Sequence, residues 1–296
     1  MNITGKTQLI GLMGWPVGHS QSPEMHNAAA TALDLNWVYI PLLVDPETIE
    51  TAVRGLPALG FRGVNVTIPH KEAVMDYLDA IDPAARAIGA VNTIVIDDMG
   101  DGPVQLTGHN TDGAGFLADL AALNVPVAGR DCIVLGAGGS ARAIVYALAS
   151  QGATVYIASR RLSQSQHIAV AIRRHFPEAT LHPLLLAAVS VPISKSDAPL
   201  VVNTTPVGMP PYADVSLWPK GLPYPDGTFI YDLVYTPAET KLLQQARKAG
   251  VATANGLGML VEQGAAAFAL WTGKQPDTAV MRAAISRDRQ PQEKTA

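Results

Sequence analysis

The segment Leu135-Gly136-Ala137-Gly138-Gly139-Ser140-Ala141-Arg142 is the sharpest chemical signal in the chain. It follows the strand-like run Asp131 to Leu135 and opens a helix-like stretch, the context that a G-x-G-x-x-A fingerprint requires. Gly136 suits the tight turn, Gly138 lets backbone approach a pyrophosphate, and Ala141 lets helix and strand pack closely. Ala137, Gly139 and Ser140 complete a loop whose helix start offers free N–H groups and a positive dipole end to phosphates. The pattern predicts a dinucleotide site. The next strand ends at Ser159-Arg160-Arg161, where an NAD-specific domain usually places an acid on the ribose 2′-hydroxyl. Two guanidinium groups suit a 2′-phosphate instead, so the expected cofactor is NADP.

The first half carries four polar clusters: Gly18-His19-Ser20-Gln21-Ser22-Pro23, Asn65-Val66-Thr67-Ile68-Pro69-His70-Lys71, Ala90-Val91-Asn92-Thr93 and Asn110-Thr111-Asp112-Gly113. Each stands at or just after the end of an expected element, where open α/β sheets place ligands. Their hydroxyls, amides, amine and carboxylate match a small, polyhydroxylated, carboxylated substrate better than an apolar one. Taken singly, Lys71 reads as a solvated lysine, Asp112 as a helix N-cap, and Ser20 and Ser22 as a turn or cap. His19, His26 and His70 have no metal-ligand spacing, and no metal is expected.

To position these groups the chain alternates short apolar runs with helix-like segments, the mark of βαβ units and a mainly parallel sheet. Strands are predicted at Gln8 to Met13, Val38 to Leu43, Gly63 to Val66 and Thr93 to Ile96, with Pro41 placing the second at a sheet edge. Helices are predicted to begin near Pro23, Pro46 and Pro69, where proline suits a first turn, and to run from Asp112 to Leu123. A second series has strands at Asp131 to Leu135, Thr154 to Ser159, Leu200 to Asn203 and Phe229 to Asp232, and a helix from Gly139 to Ser150. Pro183 to Pro199 fits neither period. Gly256 to Trp271 reads as a partly buried helix packing back on the first domain, and the tail after Ser286 as loose. The expected organisation is a first domain over 1–111, a nucleotide domain over 112–256, and 257–296 returning to the first.

At 296 residues, 48% hydrophobic and 16% charged, the chain has the composition of a globular protein. A formal net charge of -4 gives nucleic acid no broad basic surface. Cys132, the single cysteine, cannot form an intramolecular disulfide, which favours a reducing, cytoplasmic setting. The N-terminal run lacks the apolar core of a signal peptide, and no stretch is long enough for a membrane span.

These clusters, together with Asn203-Thr-Thr-Pro-Val-Gly-Met209, Tyr231-Asp-Leu-Val-Tyr-Thr-Pro237 and Asn255-Gly-Leu-Gly-Met-Leu-Val-Glu-Gln263, resemble the shikimate dehydrogenase family. The likeness runs from about Leu9 to Trp271, with separated motifs in the family's order. It implies an α/β substrate domain, a Rossmann-like NADP-binding domain, and reduction of 3-dehydroshikimate to shikimate. It further implies that Lys71 and Asp112 are the catalytic pair, Lys71 giving the proton when the ketone is reduced. Ser20 and Ser22 resemble the hydroxyls that take the substrate carboxylate, with Tyr235 a further contact on that side. Asn65, Thr67, Asn92 and Gln263 resemble the groups around the ring hydroxyls. Asn203, Thr204 and Thr205 resemble the loop beside the nicotinamide, and Leu233, Gly256 and Met259 its back wall. Where many members carry Asn-Arg-Thr and a later basic residue, this chain has Ser159-Arg160-Arg161, so Arg161 replaces that later residue. The expected partner is a small molecule, the expected assembly a monomer or homodimer.

The nearest alternative is a quinate/shikimate dehydrogenase using NAD or NADP, against which Ser22 and the lack of an acid at position 159 argue. A non-catalytic module on the same fold would gain if Lys71 or Asp112 were missing. A methylenetetrahydrofolate dehydrogenase shares the architecture but not these motifs, and function belongs to the site.

Overall fold

The computed structural model describes residues 3–97 and 104–287; from residue 288 on, the tail expected to be loose lies outside the described residues. The chain divides into two compact units, one of Met1–Arg86, Ala90–Thr111 and Leu260–Ala296, the other of Ala87–Gly89 and Asp112–Met259.

In chain order the first unit supplies β1 (Gln8–Gly14), α1 (Ser22–Ala32), β2 (Trp37–Leu43), α2 (Ile49–Gly55), β3 (Phe61–Val66), β4 (Ala80–Ile81), α3 (Pro83–Ile88, with Ala87 and Ile88 counted in the second unit), β5 (Thr93–Asp97) and β6 (Gln105–His109). Its sheet has the order β2-β1-β3-β5-β6-β4. β1 runs parallel to β2 and β3, and β4 parallel to β6, while β5 runs antiparallel to both β3 and β6. Pro41 sits on the edge strand β2, where a missing N–H interrupts no ladder on the outer side. The helix expected at Pro69 is absent. His70 N–H donates to Thr67 O at 2.9 Å, and Lys71 O accepts from Val91 N–H at 2.7 Å. With that carbonyl spent on another segment, the chain forms a turn and a 3-10 helix at Ala73–Tyr77 instead.

β3 carries a bulge: Leu9 pairs with Phe61 but Ile10 with Gly63, so Arg62 is the extra residue and the side-chain alternation shifts. Phe61 and Val64 consequently enter the same apolar cluster. A Cβ at Gly63 would overlap the Trp271 indole, and its absence lets Trp271 Nε1–H donate to Ile94 O at 2.9 Å.

The second unit contributes α4 (Asp112–Ala122), β7 (Asp131–Leu135), α5 (Gly139–Ser150), β8 (Thr154–Ser159), α6 (Leu162–His175), β9 (Leu181–Leu185), α7 (Ser190–Lys195), β10 (Leu200–Asn203), β11 (Phe229–Asp232), α8 (Lys241–Lys248) and β12 (Ala252–Asn255). Its sheet is wholly parallel in the order β12-β11-β10-β7-β8-β9, the Rossmann arrangement, with the strand order reversing between β7 and β10. The segment that fitted neither period holds the end of β9 and α7; Pro183 is tolerated because β9 is an edge. Two helices follow, α9 (Leu257–Thr272) and α10 (Thr278–Arg287). From Leu260 on they belong to the first unit, where Ala267 and Trp271 join Ile10, Leu12 and Tyr39 in one cluster. Among the described residues no helix is long and apolar enough to cross a membrane.

Within the first unit His26 is completely buried. Its ring stacks on Tyr39 at 4.3 Å, neither ring nitrogen has a hydrogen-bond partner among the described residues, and burial lowers its pKa to about 3. The unfolded chain binds a proton below about pH 6.5 that the fold refuses, so this histidine's contribution to stability is lost as pH falls from about 6.5 toward 3. His26→Phe keeps the stacking surface and removes the proton. Between pH 6 and 4 the urea-unfolding free energy of the parent is expected to fall more steeply than the variant's, by about 1.4 kcal/mol per pH unit. Parallel profiles would show that the folded ring takes up the proton.

Candidate active site

The first unit brings together the groups expected around a polyol. Asn65 ends β3 with both amide hydrogens given away, to Asn92 O at 3.2 Å and Thr93 Oγ1 at 3.1 Å, while its Oδ1 accepts from Tyr39 OH at 2.8 Å. Thr93 Oγ1 donates to Asn92 Oδ1 at 2.9 Å. Asn92 Nδ2 donates in turn to Thr111 Oγ1 at 2.9 Å and Gln263 Oε1 at 3.2 Å, and its Oδ1 also accepts from Thr111 N–H at 2.8 Å. Gln263 Nε2 spends one hydrogen on Leu260 O at 2.9 Å. Asn65, Asn92, Thr93 and Thr111 are all buried. The result is a continuous run of neutral amides and hydroxyls.

At the start of α1, Ser20 Oγ donates to Ser22 Oγ and accepts from Ser22 N–H, both at 3.2 Å. Ser22 opens α1, so Ser20 Oγ closes a tight turn on the first helical N–H, as the turn reading expects, and no side chain caps the N-cap position at Gln21. Thr67 is half-buried and its hydroxyl has no hydrogen-bond partner among the described residues. Lys71 is half-buried in the turn after His70, in the first unit; Asp112 is buried and opens α4, in the second. His70 Nε2 lies 2.8 Å from Val44 O, a structural tie. Among the described residues no three His, Cys, Asp or Glu side chains gather to hold a metal.

In the second unit the fingerprint loop leaves the carboxyl end of β7. Gly136 has φ +128, and a Cβ there would overlap Thr204 Oγ1, so glycine is required by both torsion and space. Gly138 differs: it is exposed, its φ is ordinary, and a Cβ there would meet nothing within 4 Å. The space beside it belongs to no protein atom. No side chain caps α5, which leaves the first-turn N–H groups at Gly139 and Ser140 for an anion.

Around this loop the other expected contacts divide. Arg160 and Arg161 are exposed just after β8. Ser159 is buried, its hydroxyl 2.6 Å from Ser165 Oγ and donating to Arg161 O at 2.7 Å, so it braces the arginine loop from within. Thr204 Oγ1 donates to Leu135 O at 2.8 Å. Asn203 Oδ1 accepts from Thr205 N–H at 3.0 Å and Thr205 Oγ1 at 2.7 Å. Leu233 and Tyr235 are half-buried, Met259 is buried, and a Cβ at Gly256 would overlap Leu233 O.

Several residues that sequence reasoning passed over hold these groups in place. Tyr39, Thr93 and Thr111 complete the amide run. Asp232 accepts from Asn203 Nδ2 at 2.8 Å, Val234 N–H at 3.1 Å and Thr240 Oγ1 at 2.6 Å. Burial pushes its pKa up to about 6, against the pull of those three donors. Asp232 stood inside a quoted motif and Thr111 inside a quoted cluster, but Tyr39 looked like one more aromatic in a strand.

The profile of the shikimate dehydrogenase substrate binding domain matches residues 12–94, and that of the shikimate 5'-dehydrogenase C-terminal domain matches residues 256–285. A shikimate dehydrogenase (NADP(+)) from Geobacter metallireducens is 46% identical over 290 residues, covering 95% of this chain and 97% of its own. The crystal structure of a shikimate dehydrogenase in complex with NADP+ superposes with a TM-score of 0.88 at 40% identity, covering 97% of each chain. A quinate dehydrogenase from Corynebacterium glutamicum in complex with NAD reaches 0.85 at 32% identity, covering 95% of this chain and 99% of that one. With identity of this order spread over nearly its whole length, the chain belongs to the shikimate dehydrogenase family.

Proposed function

We propose that this chain is an NADP-dependent shikimate dehydrogenase, catalysing the reversible reduction of 3-dehydroshikimate to shikimate on the route to chorismate and the aromatic amino acids. The observation that carries the reading is the match to curated NADP-dependent shikimate dehydrogenases over nearly the whole of both chains. The side-chain chemistry agrees with it: neutral amides and hydroxyls suit ring hydroxyls, and a pair of serine hydroxyls at a helix start suits a carboxylate.

In this reading Ser20 and Ser22 take the carboxylate, with Tyr235 as a further contact, and Asn65, Thr67, Asn92 and Gln263 take the ring hydroxyls. Gly136, Ala137, Gly138, Gly139 and Ser140 would hold the pyrophosphate, and the open space at Gly138 fits a group that needs close backbone approach. Arg160 and Arg161 would hold the 2′-phosphate, on the loop that Ser159 braces. Asn203, Thr204, Thr205, Leu233, Gly256 and Met259 would surround the nicotinamide. NADPH, when bound, supplies the hydride. Lys71 and Asp112 act as the catalytic pair: as the carbonyl becomes an alkoxide, the Lys71 ammonium stabilises the charge and gives its proton to that oxygen, taking it back in the reverse direction. Asp112 holds the ammonium in orientation and accepts a hydrogen bond from a substrate hydroxyl. A cytoplasmic site of action agrees with the single buried, unpaired cysteine, and the assembly in this reading is a monomer or homodimer.

Steady-state rates with shikimate or quinate and NADP or NAD test the assignment, with shikimate and NADP expected to dominate; dominance of quinate with NAD would make the chain a quinate dehydrogenase. Lys71→Ala is expected to lower kcat by about 10³-fold with much less change in shikimate affinity, and a loss confined to KM would remove Lys71 from proton transfer. Gly138→Ala is expected to raise the NADP KM by about tenfold while melting within about 2 °C of the parent. Gly136→Ala should cost about 2–3 kcal/mol of stability, from left-handed strain and overlap with Thr204. Equal thermal behaviour of the two variants would contradict the distinction drawn between these glycines.

A further inference from the structure

Two serines in the second unit share one short hydrogen-bonded contact. Ser159, at the end of β8, is 3% exposed, and Ser165, in the first turns of α6, is fully buried. A serine hydroxyl has a single proton to give. That of Ser159 goes to Arg161 O at 2.7 Å, so across the 2.6 Å contact between the two hydroxyls Ser165 is the donor. The longer approach of Ser165 Oγ to Leu184 O, at 3.3 Å, is a weaker claim on the same proton. The run is therefore directed from Ser165 through Ser159 to the Arg161 carbonyl. Ser159 cannot give its proton to a ligand without releasing that carbonyl.

The Arg161 carbonyl stands where strand gives way to helix. Gln164 N–H donates to it at 3.0 Å from the first turn of α6. Ser159 reaches it from the sheet, where its backbone is paired in register with Leu185 of β9. The first bond belongs to the helix, and the second joins that helix start to the end of β8. Arg160 is the one residue enclosed between them. Arg160 and Arg161 are both exposed, and neither has an ion pair among the described residues. Two adjacent guanidinium groups repel each other, which works against any single arrangement of the loop that carries them. We propose that Ser159, aimed by Ser165, is a specificity-determining positioning residue: by tying the Arg161 carbonyl to the end of β8 it presents the two guanidinium groups as one preformed site for a phosphate monoester on the ribose. This role rests on the reading above that Arg160 and Arg161 hold the 2′-phosphate. A loop already held binds its anion without losing the entropy of being ordered at that moment. NAD has no 2′-phosphate, so the brace adds nothing to its binding.

Titration calorimetry with NADP and with NAD, on the full chain, reads this directly as a ratio of two dissociation constants. Ser159→Ala deletes the tie and is expected to weaken NADP about tenfold and NAD by less than about twofold. Ser159→Thr keeps the hydroxyl and should keep the parent's ratio. Ser165→Ala leaves the tie but removes the group that aims it, so the same shift is expected at about threefold; it also keeps the test open if Ser159→Ala folds poorly. A general packing defect would weaken both nucleotides alike. Equal losses for NADP and NAD, or a ratio in Ser159→Ala equal to the parent's, would overturn the role of Ser159 while leaving the arginines in place. A parent that binds NAD as tightly as NADP would instead overturn the cofactor reading, and the role of Ser159 with it.

Discussion

A primary amide cut off from water must find partners for its oxygen and both its hydrogens, because each one left bare costs about 1–3 kcal/mol. Asn92 meets this demand in a way that organises the first unit. Its backbone N–H donates to His109 O at 3.0 Å, and its carbonyl accepts from Val66 N–H at 2.8 Å and Asn65 Nδ2 at 3.2 Å. Its side chain reaches Thr93, Thr111 and Gln263. The ends of β3 and β6 and the interior of α9 are thus joined at one residue. The bonds that keep the sheet closed there also orient the groups assigned to the substrate, so loosening recognition and loosening the fold are the same event at this position.

The second unit solves a comparable problem with a charge. Asp232, at the end of β11, faces Asn203, Val234 and Thr240 with no solvent exposure. Three donors stabilise the carboxylate, yet the cost of burying it is larger, and its pKa rises to about 6. What it secures is the segment after β10. Asn203 has its Nδ2 on Asp232 and on Val207 O at 3.0 Å, so its Oδ1 is left to receive Thr205. Thr240 is at the same time the N-cap of α8, accepting from Leu243 N–H at 3.4 Å. The loop beside the dinucleotide fingerprint is therefore held by side chains from both neighbouring elements, next to the point where the strand order reverses.

Much of this was legible in the sequence, and the parts that were not share a cause. The period of apolar residues found α5 and β8 to the residue, and the small residues of 136–141 announced the turn between β7 and α5, because backbone geometry there depends on local side-chain size. Pro41 marked an edge correctly, yet the same rule was not applied to Pro183, which also lies on an edge strand. The helix expected at Pro69 failed because a long-range bond, Val91 N–H to Lys71 O, competes with the helical pattern and leaves no local trace. β4 and β6 were missed for a similar reason: each is short or half-exposed, and pairing rather than composition makes it a strand. The candidate site followed the same division. Residues with chemistry of their own were visible in their clusters, but Tyr39, Thr240 and Ser165 matter through what they touch, and the hydroxyl of Ser159, a residue expected beside the cofactor, is engaged with Arg161 O and Ser165.

That division bears on how function can be read from such a protein. The overall superposition does not separate a shikimate dehydrogenase from a quinate dehydrogenase, since both rest on one scaffold and function belongs to the site. What can separate substrates differing by a hydroxyl is the supply of uncommitted donors and acceptors, because a hydroxyl brought into a dry site without a partner loses its hydration and gains nothing. Here the supply is narrow, since Asn65 and Asn92 have their amide hydrogens fully engaged within the protein. A run of neutral groups has a further advantage over charged ones in this position. In the proposed reading it would recognise hydroxyls without adding a charge of its own beside the Lys71 ammonium.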